Sequence, residues 1–429
     1  MIKRFLAVAF VLISGTILAQ RNSASPYSFF GIGDEFNPKT VEQSSMGGIG
    51  VAQKENQYLN FINPAANADL RIATYALAGK LSFVTLKETD ATQSGNITSL
   101  RYIALGFPIG KKAGLSVGLQ PLSSVGYSLL NQTRNGDVIE EVNKFSGTGG
   151  TNRIYASFGS YLFEGFSVGF EAGFIFGNIE NSILNQVRNV AFATKYNQDL
   201  NIRGGQFKFG TQYKTKLTDK MNLHTGAALT LSSDLSARGS ERLFSLIFSG
   251  SGQEIPKDEA YNRGIDGSVT IPLRTVVGFG LGKENKWYVG FNSEFSGKAS
   301  GERVFEDLET AYRYDNAQRF SIGGYYIPKV NSISSYWDRV TYRAGVRFED
   351  TGLLVKGDPN STNFTAINDY GINVGVALPL PRQISTLNLG FEYGQRGTTN
   401  NNLIKENYFN VRLSLSLNDI QWFRKSRID

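Results

Sequence analysis

The chain has no cysteine and a single histidine among its 429 residues. Lack of cysteine excludes disulfides, thiolate metal centres, thiol nucleophiles and a lipidated N-terminal cysteine, so any surface anchoring must come from the fold itself. One histidine excludes metal sites that need two or three imidazoles and leaves only His224 for a catalytic dyad. Ser232 and Ser233 lie further along the same predicted strand, but Asn222 and His224 read better as residues facing a lumen or a membrane interface. Glu306, Asp307 and Glu309 read as a solvated loop rather than a calcium site. No metal, cofactor or catalytic residue is therefore expected. The formal charge of +7 falls to +5 without Lys3 and Arg4, and the remaining charges are scattered, which argues against nucleic acid as a partner.

Long apolar runs are also missing beyond the first twenty residues. Lys3 and Arg4 precede an apolar run from Phe5 to about Leu18, and Ala19-Gln20 follows as a cleavage point. This is the pattern of an export leader over residues 1–19. The run is shorter than the ~20 residues a spanning helix needs, and Ser14, Gly15 and Thr16 interrupt it. With no later apolar helix, a membrane-spanning mature chain has to be a closed barrel, because hydrocarbon leaves no partner for free backbone groups.

What is abundant fits that requirement. The sequence holds 47 glycines and many aromatics (30 Phe, 20 Tyr, 3 Trp) but only 11 prolines, a composition suited to strands. Alternation predicts strands at 72–86, 96–109, 113–130, 152–163, 166–178, 199–216 and 221–239. Further strands are predicted at 267–282, 287–301, 312–327, 339–351, 364–380, 385–397 and 407–418, about 14 in all. Val340, Tyr342, Ala344, Val346 and Phe348 share one face, opposite Thr341, Arg343, Gly345, Arg347 and Glu349. Leu387, Leu389, Phe391 and Tyr393 likewise oppose Asn388, Gly390, Glu392 and Gly394. In the last predicted strand, Phe409, Val411, Leu413, Leu415 and Leu417 oppose Asn410, Arg412, Ser414 and Ser416.

A β-sandwich alternates in the same way, but it has no reason to sort its connections by parity. Here the links after even strands are tight: 110–112, 164–165, 218–220, 283–286 and 381–383, with 328–338 as the long exception. Those near 131–151, 179–198, 240–266 and 352–363, after odd strands, are longer and rich in Asn, Gly, Ser and charge. They read as exterior loops, opposite short periplasmic turns. Trp287, Tyr288, Tyr325, Tyr326, Tyr336, Trp337, Trp422 and Phe423 fall near strand ends, where a membrane interface holds aromatics. The predicted fold is all-β, an antiparallel up-and-down transmembrane barrel over residues 72–429.

Residues 20–71 show little alternation and many turn formers, and so read as a plug for a lumen too wide to be filled by its own wall. Gly47, Gly48 and Gly50 allow close backbone approach or positive φ, while Pro64 fixes its own φ and holds Asn63 extended. A dinucleotide loop is excluded, since Gln53 stands where a third glycine belongs and no βαβ unit surrounds it. Ser45-Met46-Gly47-Gly48-Ile49-Gly50-Val51-Ala52 followed by Asn63-Pro64-Ala65-Ala66 resembles the paired signature of the FadL-type outer-membrane family. Ile271-Pro272-Leu273-Arg274, before a glycine-rich strand, is similar to a recurrent element of its barrels.

The resemblance implies a 14-stranded barrel whose N-terminal segment forms a hatch, with Met46, Gly47, Gly48, Gly50, Asn63, Pro64 and Ala65 as hatch structure. It further implies a place in the outer membrane and passive transport of hydrophobic small molecules such as long-chain fatty acids. The same family includes PorV, an accessory barrel of a secretion system, so a non-enzymatic subunit of an outer-membrane secretion or assembly complex is the alternative. Outer-membrane lipid, a hydrophobic ligand in the lumen and complex partners are the partners these readings imply. Two departures bear on the choice: Trp422, Phe423 and a basic tail follow the last strand, and Arg343, Arg347, Glu392 and Arg412 face inward, unlike an oily conduit. A porin for polar solutes ranks third, because a hatch would block it.

Overall fold

A computed structural model describes residues 23–302, 311–357, 362–380 and 385–419. The leader, Glu306, Asp307 and Glu309, the turn at 381–383, and Trp422 and Phe423 lie outside these residues. The barrel strands are β1 (Ala73–Lys87), β2 (Thr92–Ile109), β3 (Ala113–Val125 and Ser128–Asn135), β4 (Val138–Phe163), β5 (Phe166–Val187), β6 (Ala193–Thr218) and β7 (Met221–Thr230 and Ser233–Phe248). They continue as β8 (Glu254–Ile271 and Arg274–Lys283), β9 (Trp287–Ser296 and Ser300–Glu302), β10 (Tyr312–Tyr314 and Ala317–Tyr326), β11 (Thr341–Val355), β12 (Thr365–Pro379), β13 (Thr386–Arg396) and β14 (Lys405–Asp419).

Each strand runs antiparallel to the next, and β14 closes onto β1 with Ala73 opposite Asp419 and Lys87 opposite Lys405. Closure excludes the sandwich, whose sheets keep open edges. Fourteen strands is the number the alternation predicts, and the faces follow it. Tyr342, Val346 and Phe348 are exposed on the outer wall, while Arg343 is buried inside. Ile154 and Phe158 of β4, Phe170 and Phe174 of β5, and Phe207 and Phe209 of β6 form part of an exposed apolar belt. Outside a bilayer such a belt would be a large hydrophobic liability; within one it is the lipid face.

Three of the predicted exterior loops are corrected. Residues 131–151, 179–198 and 240–266 are largely paired strand, so β4 and β6 each run to 26 residues where a tilted crossing needs about 10. Above the lipid the outer face becomes polar, as at Asn201, Arg203, Ser236 and Arg238, and the apolar residues between them, Leu200, Ile202, Leu235 and Ala237, turn inward while the ladder continues. Hairpins β3–β4, β5–β6 and β7–β8 therefore rise as a wall on one side of the mouth. Between Tyr314 and Ala317, β10 breaks where one strand was predicted. The long link before β11 is present as expected, and it contains the helical turn Trp337–Arg339.

The interface reading of the aromatics divides. Tyr326, Tyr336 and Trp337 are exposed, but Tyr288 is buried inside the barrel, stacked on Tyr325 at 6.0 Å. The apolar belt predicts a position-dependent cost for a charge. Phe170→Arg should destabilise the barrel by about 2–4 kcal/mol, whereas Ser236→Arg, above the belt, should change stability by less than about 0.5 kcal/mol. Denaturant unfolding in phospholipid vesicles measures both.

Candidate functional site

The residues preceding β1 build local structure by capping rather than by periodicity. Ser25 caps the turn Pro26–Phe29, and Asp34–Glu35 forms a short strand. The one-turn helix α1 (Val41–Ser44) starts at a capping box, in which Thr40 and Gln43 satisfy each other's backbone N–H groups. Asn63 then caps the 3-10 turn Pro64–Asp69, with Pro64 in its first turn.

The segment touches the wall right round the ring and so lies inside it. Asp34–Glu35 pairs with β3, the Val41 N–H donates to Tyr102 of β2 (3.2 Å), and Asn67 donates to Ser157 of β4 (2.8 Å). Lys54 donates to Ser167 of β5 (2.9 Å), and Lys208 of β6 donates to the Phe61 carbonyl (3.0 Å). On the far side, Arg274 of β8 pairs with Glu35 (3.1 Å), Arg319 of β10 donates to the Gly47 carbonyl (3.3 Å), and Ser416 of β14 donates to Glu42 (3.2 Å).

The residues singled out by sequence fall at two of the tightest contacts. Met46 is fully buried, with Ile49, against Tyr288 and Tyr325. Gly47 has φ +73, and a Cβ there would stand 2.6 Å from the Val346 carbonyl oxygen of β11, so glycine is required twice over. Gly48 lies beside Lys39 and Arg319, and the Gly50 carbonyl accepts from Asn60 (2.7 Å). Asn63 ties three chain segments together: its Nδ2 donates to the carbonyls of Val51 (2.8 Å), Thr211 on β6 (2.9 Å) and Ala227 on β7 (3.2 Å). Its Oδ1 accepts from the Ala65 N–H (3.0 Å). Pro64 and Ala65 then pass over the wall, where Gly210 leaves room for the Asn63 side chain.

Several plug-to-wall charge contacts carry no sequence signal. Lys39 forms an ion pair with Glu294 of β9, both buried, and Asp34 pairs with Arg396 of β13 (2.5 Å). Burial, helped by neighbouring Arg319, lowers the Lys39 pKa to about 8. Burial also raises the Glu55 carboxyl and lowers Lys54. The wall carries its own networks. Arg347 bonds Glu392 (2.9 Å), Glu349 (3.1 Å) and Asp369 (3.0 Å), and Arg153 bonds Glu171 (2.8 Å), which Lys208 also meets (3.0 Å).

Two vestibules remain, one on each side of the plug. The outer one, about 760 Å³, has a mixed lining in which charged side chains, including Lys80, Arg101, Arg319, Arg347, Glu392 and Arg412, alternate with apolar ones such as Ile97, Ile271 and Phe364. The inner one is about 140 Å³ and includes His224 and Tyr288. His224 packs edge-on against Tyr288 (5.4 Å), whereas Ser232 lies eight residues further along β7, roughly 25 Å away by strand rise. Ser232 donates instead to the Ile271 carbonyl (3.1 Å), so no Ser-His pair is assembled.

Among the described residues the wall ladder is interrupted beside the outer vestibule at two places, between β9 and β10 above Ser296 and Ala317 and between β2 and β3. The β2–β3 ladder stops at Ile103 opposite Leu119; above it β2 pairs only with β1, and β3 with β4. The plug covers the β3 edge of this break. Asp34 and Glu35 pair with Ser124 and Ser123, the Phe36 N–H donates to Leu122 (2.7 Å), and the Phe36 ring lies beneath Arg101 at 4.6 Å.

Two outcomes follow from these contacts. Asn63→Ala should cost about 2–4 kcal/mol, since it removes a cap and strands buried carbonyls. Asn63→Asp should be no better, because it keeps the cap acceptor but turns a carboxylate toward the same carbonyls; denaturant unfolding compares the two. For Lys39, the depressed pKa means that between about pH 8 and 10.5 the unseated chain holds more protons than the seated one. Raising pH through that window therefore adds stability from this group, and below it the contribution is constant. Hydrogen exchange over residues 41–50, corrected for intrinsic rates, should show no less protection at pH 9.5 than at pH 7. A tenfold loss would contradict the assignment.

The fold is shared with solved barrels of low sequence identity. The structure of a Pseudomonas aeruginosa FadL homologue is 13% identical, with 89% of this chain and 98% of that chain covered and a TM-score of 0.57. The P. putida toluene transporter TodX is 15% identical, with 89% and 99% covered and a TM-score of 0.58. The CymD monoaromatic hydrocarbon channel is 13% identical, with 88% and 96% covered and a TM-score of 0.56. No curated protein matches the sequence. A family model described as BamG matches residues 1–429, and the chain belongs to the BamG family.

Proposed function

We propose that this FadL-type barrel is a non-enzymatic accessory subunit of an outer-membrane protein assembly or secretion complex, and that residues 23–72 are a fixed plug rather than a gate. The observation that carries this reading is the filled lumen. The plug is held by Asn63, Lys39, Asp34 and Glu35 to strands on opposite sides, and charged groups are spread over the mixed surface of the outer vestibule. An apolar solute gains little from leaving lipid for a surface interrupted by so many charges, since the hydrophobic driving force requires continuous apolar burial. The raised hairpins from β3 to β8 offer a partner a rigid surface beyond the lipid, and membership of the BamG family is compatible with the same role.

A second reading is passive passage of a hydrophobic small molecule, such as a long-chain fatty acid. The break between β2 and β3 favours it, because there the wall lacks its own ladder and opens beside the outer vestibule. It also accords with the hydrocarbon channel and toluene transporter among the similar structures.

Gentle detergent extraction from native membranes, followed by native mass measurement, separates the two. A defined assembly heavier than the monomer is expected; a lone monomer under conditions that preserve other membrane complexes counts against the accessory role. Vesicles carrying the purified barrel should show no saturable uptake of labelled fatty acid and little ion conductance. Saturable uptake would establish the second reading instead.

A further inference from the structure

Charge inside this barrel is mostly matched: Arg347, Arg153 and Lys39 each face carboxylates. One cluster on the wall of the outer vestibule is not. Lys80 of β1 stands directly opposite Arg412 of β14. Arg101 joins them through a bulge in β2, where Ala78 faces Tyr102 but Gly79 faces Leu100, leaving Arg101 as the extra residue. A bulge of this kind re-aims a side chain, and here it brings a guanidinium to the same vestibule surface as Lys80 and Arg412.

Among the described residues neither Lys80 nor Arg101 has a carboxylate within ion-pair distance; what they meet is the Phe36 ring, at 5.8 Å and 4.6 Å. Arg412 gives Nη2 to Glu392, which Arg347 also engages, and its buried Nη1 has no partner among the described residues. Opposite Lys80, the Ser99 hydroxyl is buried, with the residue 3% exposed, and also without a partner there. A π face attracts cations without neutralising them, and like charges held side by side repel. All three side chains are partly exposed to the vestibule, where their combined field attracts an anion that enters it.

We propose that Lys80, Arg101 and Arg412 form a binding site for a phosphate-type anion, with Phe36 as its floor. Two guanidinium groups and an ammonium, converging from three strands, offer more donors than one carboxylate can accept; a tetrahedral phosphate oxyanion, with at least two unesterified oxygens, can accept from several of them at once. Two sources share that chemistry: free phosphate entering by the vestibule mouth, and a lipid phosphate headgroup reaching in through the break between β2 and β3. The site is independent of whether the barrel serves a complex or a transported solute.

Calorimetric titration of the full-length protein in a neutral maltoside detergent tests this with two probes, inorganic phosphate and phosphatidylglycerol. Wild type should bind at least one. Lys80→Gln with Arg101→Gln should weaken that binding at least tenfold, while Lys298→Gln, an exposed lysine on the same cavity paired with Asp315, should change it less than twofold. Binding of phosphate assigns a free anion, and binding of phosphatidylglycerol alone assigns the headgroup. Heat-dependent gel mobility verifies that each variant is folded, and Arg101→Gln alone, expected to weaken binding at least threefold, decides the matter if the double variant fails that check. Failure of wild type to bind either probe, or equal affinity in wild type and the folded variant, overturns the proposal.

Discussion

A peptide backbone in hydrocarbon has no water to bond with, so every N–H and C=O must find a partner within the protein. In this chain the β14–β1 ladder meets that requirement by turning a row of hairpins into a ring. The rest of the architecture follows from its size. A ring of fourteen strands encloses more space than inward side chains of ordinary length can fill. Residues 23–72 occupy that space, and the inner wall is shaped to them, with Gly210 cut back for Asn63 and Arg319 extended to the Gly47 carbonyl.

Filling a lumen with polar chain brings its own constraint. Little room for water is left where plug meets wall, so a charge there needs a partner, and Lys39 with Glu294 or Asp34 with Arg396 supplies one. Such pairs do not by themselves make a large stabilising contribution, because desolvation offsets much of their attraction. Their effect is on position: breaking one partner away leaves the other buried and alone. A plug held by many such contacts on all sides has one well-determined seat. A ligand could displace it only by binding the displaced state more strongly, by as much as all those contacts are worth.

Alternation carried the number of strands, their order and the direction of Arg343, Arg347, Glu392 and Arg412, because lipid on one side and water on the other impose opposite preferences on neighbouring residues. Where that contrast ends, legibility ends too. The upper halves of β4 to β8 have polar outer faces, so strand and loop look alike in composition although the ladder persists. Tyr288 and Tyr325 suited an interface by position along the strand, yet Met46 and Ile49 provide an apolar surface inside. Asn63-Pro64 was readable because proline and its neighbour restrict the backbone locally. Lys39 and Glu294 were not, being 255 residues apart and joined only once the ring has closed around the plug.

The break between β2 and β3 gives the plug a second duty. Strand edges left unpaired in a membrane wall are costly, and the edge of β3 above Leu119 would be one without Asp34, Glu35 and the Phe36 N–H. The same short stretch reaches β8 through Glu35 and β13 through Asp34, so it braces both sides of the mouth as it pairs the β3 edge. Withdrawing the plug would therefore open the lumen and unpair the barrel wall in a single event. Its N-terminal part is wall as much as plug, and this coupling is why a fixed insert suits this barrel better than a moving one.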